Sequence, residues 1–168
     1  MEYAIGLYFD KASESKFNNL IQQMVQKGVK TTPHITLADV IAENAAPIIE
    51  MFDKNISSIN KGGIFWGSIG VFMPLVIYAA PVLNEYLFGL NVQVNNLLKP
   101  VTEPGISGFY LPYNWIPHVT LASKMNQDEI KTAFNVAADE FIAFGGMAEK
   151  LFLAQCNPYK EIKTWDLK

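Results

Sequence analysis

A six-residue segment occurs twice in this chain, and it governs what the rest can fold into. Pro33-His34-Ile35-Thr36-Leu37-Ala38 returns as Pro117-His118-Val119-Thr120-Leu121-Ala122, with five of six positions identical and the sixth a β-branched exchange. The two histidines stand half of the 168-residue chain apart. Such self-similarity implies a duplicated supersecondary unit.

The flanks repeat as well. A strand at Tyr3 to Phe9 and a helix at Ser13 to Lys27 lead into the first segment. A strand at Leu75 to Ala80 and a helix at Val82 to Leu98 lead into the second. After the first comes a helical stretch, Glu43 to Asn60, then Gly62-Gly63 and the apolar run Ile64-Phe65-Trp66. After the second comes Asn126 to Phe144, then Gly145-Gly146 and Leu151-Phe152-Leu153. Phe17, Leu20, Ile21, Met24 and Val25 follow helical spacing, as do Ile130, Phe134, Ala137, Ala138 and Phe141. Gly28 reads as a C-cap of the first helix, and Asn126 before Asp128 and Glu129 as a capped start. The expected unit is strand, helix, motif strand, helix, strand, used about 1–73 and 74–168. The expected fold is α+β and bilobal, with two antiparallel-type sheets around a central cleft and helices on the outer faces.

The copies differ at one place. The second holds a longer connection, Lys99 to Ile116, rich in proline and glycine and carrying Phe109, Tyr110, Tyr113 and Trp115. It reads either as a lid or binding loop or as a surface crossing pinned by its aromatics.

Composition removes several functions. All thirteen basic residues are lysines, arginine is absent, and the net charge is −3. Without arginine forks for phosphate and without a cationic excess, a long nucleic acid is not an expected partner. The lone Cys156 rules out an internal disulfide and a four-cysteine zinc site, and suits a cytoplasmic location. The opening residues do not read as a signal peptide. Residues 62–84 carry no charge, which raises a membrane-spanning reading. The glycines and prolines within them favour two buried strands joined near Met73-Pro74, so no membrane is expected.

On a strand, alternate side chains share a face. His34 and Thr36 then point one way and Ile35 and Leu37 the other; His118 and Thr120 divide likewise from Val119 and Leu121. Pseudo-twofold symmetry would bring two imidazoles and two hydroxyls into one groove. One imidazole can accept a proton from water or a ribose hydroxyl while the other, protonated, gives one to a leaving oxygen. The hydroxyls can donate to non-bridging phosphate oxygens. A single such segment would be an ordinary strand with a satisfied histidine; here the two copies hold the only histidines in the chain. No carboxylate cluster accompanies them, so neither a metal nor a cofactor is expected.

The paired segments His34-Ile35-Thr36-Leu37 and His118-Val119-Thr120-Leu121 resemble the motifs of the 2H phosphoesterase superfamily, in the manner of the bacterial 2′-5′ RNA ligase and cyclic phosphodiesterase group. The resemblance extends over essentially the whole chain. It implies a bilobal fold and metal-independent chemistry on 2′,3′-cyclic phosphates, 2′-5′ linkages or related cyclic nucleotides. It also implies that His34, Thr36, His118 and Thr120 are the active-site residues. Many RNA-processing members carry an arginine just after the second motif, where this chain has Ser123-Lys124. Lys124 shares strand parity with His118 and Thr120 and, if the strand continues that far, is a candidate to replace that charge, with Lys30 a second. Tyr113 and Trp115 are candidate platforms for a base. The expected partner is a small nucleotide or RNA terminus. The alternatives are a 2′-5′ RNA ligase activity or a non-catalytic binding module for a nucleotide or phosphorylated ligand.

Overall fold

A computed structural model describes residues 1–24, 32–73 and 76–168. The chain alternates strands and helices: β1 (Glu2–Phe9), α1 (Lys11–Met24), β2 (Ile35–Ile41), α2 (Ala46–Asn55), β3 (Gly62–Phe72), β4 (Val76–Pro81), α3 (Glu85–Leu98), β5 (Glu103–Pro104), β6 (Val119–Ser123), α4 (Gln127–Glu140), β7 (Phe144–Gln155) and β8 (Lys160–Asp166). The predicted α+β character holds. The uncharged stretch forms β3 and β4 rather than a helix. No helix among the described residues is long and apolar enough to cross a membrane.

Local chemistry sets the helix boundaries. The Asp10 carboxylate accepts from the Ser13 amide at 2.9 Å at the start of α1, and from the Met147 amide of β7 at 2.6 Å. Asn84 caps α3, and Asn126 with Glu129 forms a reciprocal capping box on α4. The helix expected from Glu43 to Asn60 is shorter: Pro47 sits in the first turn of α2, and a short 3-10 turn, Ile56–Ser58, ends it. The suggested Gly28 cap lies outside the described residues. The strand expected around Leu151–Leu153 runs for 12 residues and pairs with β8, whose sparse apolar content gives little periodic signal.

The strands form one antiparallel network rather than two separate sheets. β1 pairs with β2, β2 with β6, β6 with β4, β4 with β3, β3 with β7, and β7 with β1. That circuit follows the duplication. β1–β2 and β4–β6 are equivalent, and so are β1–β7 and β4–β3. Each motif strand carries a bulge at the corresponding place: Ile5/Gly6 opposes Ala38 to Thr36, and Ile77/Tyr78 opposes Ala122 to Thr120. The helices cross between halves. α1 packs on β6 and β7 and against α4, whereas α3 packs on β2 and β3 and against α2. Each motif strand is therefore backed by a helix from the other half.

One face of the strands supplies the core. Ile35, Leu37, Val119 and Leu121 are fully buried with Ile5, Leu7 and Ile77 against Phe17, Leu87 and Val94. Each such aliphatic side chain contributes roughly 1.5–3 kcal/mol by leaving water. This burial fixes which face the intervening histidines and threonines present.

Candidate active site

His34 and Thr36 flank the buried Ile35, and His118 and Thr120 flank the buried Val119. Ile35 and Val119 are directly paired between β2 and β6, at the symmetric centre of the duplication. Continuing this antiparallel register sets Thr120 opposite His34 and Thr36 opposite His118. Opposed side chains on one face stand about 5 Å apart at Cβ. The register therefore places all four polar groups on one patch. It stops there for a simple reason: the next step would face Pro117 to Leu37 and Pro33 to Leu121, and proline has no N–H for the ladder.

The two imidazoles have matching surroundings. His34 Nδ1 lies 2.8 Å from the Thr32 carbonyl, and His118 Nδ1 lies 2.8 Å from the Ile116 carbonyl. A carbonyl only accepts, so Nδ1 is the protonated nitrogen in both rings. In the neutral form Nε2 then carries the free lone pair. Burial pushes both imidazoles below the usual histidine range. For each the carbonyl bond opposes this, and for His34 the His118 charge adds to the lowering.

A stacked aromatic pair stands beside each histidine. Tyr8 stacks on Phe152 with centroids 4.3 Å apart, and the His34 ring meets Phe152 edge-on at 5.2 Å. Phe72 stacks on Tyr78 at 4.2 Å, and His118 meets Phe72 edge-on at 4.9 Å. Glycines make room for these rings. A Cβ on Gly6 would come within 2.2 Å of Phe152, and one on Gly70 within 2.4 Å of Tyr78. The pairs are built differently: β1 gives the glycine and β7 the aromatic in one, while β4 gives the aromatic and β3 the glycine in the other. Tyr8 donates to Glu161 Oε2 at 2.6 Å. Sequence periodicity misses this layer. Tyr8, Phe72 and Tyr78 read there as ordinary strand aromatics, and only the parity of Tyr8 with Gly6 and of Phe72 with Gly70 points elsewhere.

The peripheral candidates divide. The bulge at Leu121-Ala122 shifts strand parity, so Ser123 is the residue that returns to the histidine face. Lys124 lies beyond β6, exposed, in a left-handed turn at φ 59°. The parity expected for Lys124 is thus corrected: it counts residues as if the strand had no bulge. Trp115 is 7% exposed, and its indole N–H donates to the Thr36 carbonyl at 2.9 Å. Packed in this way it offers no open face to a base. Tyr113 is 89% exposed with its ring against Phe88 of α3, in the helical layer rather than beside the histidines. Lys30 lies outside the described residues. Among the described residues no group of three or more histidine, cysteine, aspartate or glutamate side chains gathers to hold a metal ion.

This strand circuit with crossed helix pairs is a fold that the chain shares with solved structures. Three of these resemble it over nearly its whole length. TT0787 of Thermus thermophilus superposes with a TM-score of 0.69 at 14% identity, covering 99% of this chain and 98% of that one. E. coli LigT, complexed with 3′-AMP, gives 0.62 at 13% identity, covering 99% and 97%. Kluyveromyces marxianus Usb1 gives 0.53 at 14% identity, covering 99% and 98%. No protein-family model matches the sequence, and no curated protein matches it either.

Proposed function

We propose that this chain is a metal-independent phosphoesterase that hydrolyses the 2′,3′-cyclic phosphate, or a 2′-5′ phosphodiester, of a small nucleotide or RNA end in the cytoplasm. The observation that carries this reading is the matched pair of imidazoles. Each has Nδ1 tied to a carbonyl, Nε2 left for proton transfer, and a threonine across the strand. The fold shared with LigT, itself seen with 3′-AMP, supports a ligand of nucleotide size.

In this mechanism His118 Nε2 takes a proton from water as the water oxygen attacks phosphorus. The bond from phosphorus to one ribose oxygen breaks, and His34 Nε2–H protonates that leaving oxygen. Thr36 and Thr120 donate to the non-bridging oxygens as charge builds there. The product is a phosphate monoester. Exchange of one proton with solvent restores the starting pair. The duplication leaves the acid and base roles formally interchangeable, and the assignment follows the direction in which substrate lies.

The test is turnover of 2′,3′-cyclic nucleotides, 2′-5′ dinucleotides and cyclic-phosphate RNA ends, with and without EDTA, by wild type and His34→Ala. Hydrolysis that survives chelation and disappears in the variant supports the proposal. Tight nucleotide binding without turnover would make the chain a binding module. Loss of activity on chelation would make it a metal enzyme.

A further inference from the structure

The bulge in β2 leaves Leu37 without a partner in any of the ladders that β2 makes. Its carbonyl nevertheless lies in the core and must be satisfied. Two amides on α3 meet it. Asn91 Nδ2 donates to the Leu37 carbonyl at 2.8 Å and to the Tyr110 carbonyl at 3.0 Å. Asn95 Nδ2 reaches the same two carbonyls at 3.4 and 3.2 Å. One residue earlier, the Thr36 carbonyl accepts from the Trp115 indole. Two consecutive peptide units of the first motif are thus held by side chains from the second half of the chain. Among the described residues no side chain donates to the corresponding carbonyls of Thr120 or Leu121.

Asn91 is 0% exposed, and its Oδ1 has no hydrogen-bond partner among the described residues. Turning the amide over would face oxygen to two carbonyls, so the donor orientation is forced. A buried amide oxygen left bare is destabilising. A residue that served stability alone would do better without that oxygen. The gain must come from what the two N–H groups hold.

We propose that Asn91 is a positioning residue for the first motif. Acting with Trp115, it locks the bulged backbone at Thr36-Leu37 so that Thr36 keeps its aim at the phosphoryl group, and it fastens the long connection at Tyr110 to the same point. This rests on the phosphoesterase reading above, and the experiment separates the two.

Asn91→Leu removes the donors and the bare oxygen while keeping an apolar side chain of similar size. The expected result is a folded protein in which kcat falls about tenfold and KM changes little. In a Thr36→Ala background the same substitution should add no further loss. Hydrogen–deuterium exchange should quicken across residues 35–38 and stay unchanged across 119–122. Trp115→Phe, which removes the indole N–H, should give the same pattern more weakly, and it replaces Asn91→Leu if that variant does not fold. Wild-type kcat in the folded variant, losses that add to Thr36→Ala, or equal exchange changes in both motif strands would overturn the proposal. If wild type turns over no phosphoester, the enzymatic reading fails, and the contrast in exchange between the two segments still decides whether Asn91 holds the motif strand.

Discussion

Ile35 and Val119 face each other as the residue pair joining β2 to β6, and each is flanked by a histidine and a threonine. Burial of these two aliphatic side chains orients the four polar neighbours together. If the histidines are the acid and base, His34→Ala and His118→Ala should each lower kcat/KM for a 2′,3′-cyclic nucleotide by about 10²–10⁴-fold. The double variant should lose little more than either single one. Unchanged circular dichroism would separate this loss from unfolding.

Both imidazoles are held below the ordinary histidine range by burial. A reaction that needs one neutral and one protonated ring should then be fastest on the acid side of pH ~6.5, the unperturbed value. The stability sign follows the same way. With folded pKa values depressed, the unfolded chain binds more protons as pH falls. The stability associated with these groups is present above pH ~6.5 and is lost as pH drops through the folded values. Thermal melts across this range would measure it. A phosphate-bearing ligand should raise both histidine pKa values, read by NMR titration of the ring protons.

In the proposed mechanism each threonine touches developing negative charge rather than binding substrate from the start. Thr36→Val and Thr120→Val should therefore reduce kcat by roughly 10²-fold, with smaller effects on KM. A rise in KM at unchanged kcat would place the hydroxyls in ground-state binding instead.

Phe152 is 1% exposed although it points away from the main core, because Gly6 lets its ring lie flat against the strand. Gly6→Ala should push that ring outward at a cost of about 1–3 kcal/mol. It should also disturb His34, whose edge rests on Phe152. A fall in Tm together with a shift in the His34 ring resonances, and little change at His118, is the expected result.

Much of this layout is legible in the sequence because repetition doubles every signal. Phe17, Leu20, Ile21 and Met24 announce α1 by spacing, and Asn126 marks the start of α4. The alternation around His34 and His118 separates buried from partly exposed positions in both copies. What escapes is whatever depends on pairing across strands. Bulges change parity without changing composition, so simple counting gives Lys124 a face that belongs to Ser123. The Trp115 indole bond to Thr36 joins residues far apart in the chain, and no local pattern encodes it. The closure of the strand circuit likewise depends on which edges meet, and β3 cannot be matched to β7 from hydropathy alone.

The exchanged glycine and aromatic positions also give the molecule a sense of direction. The paired histidines and threonines come as a twofold-related set. The walls beside them do not. Across β1 and β7 the row beyond His34 continues through Tyr8 and Lys150, whereas the row beyond His118 continues through the small residues Ala80 and Ser68. On the proposed function, a ligand reaching past the histidines would therefore meet different side chains at its two ends.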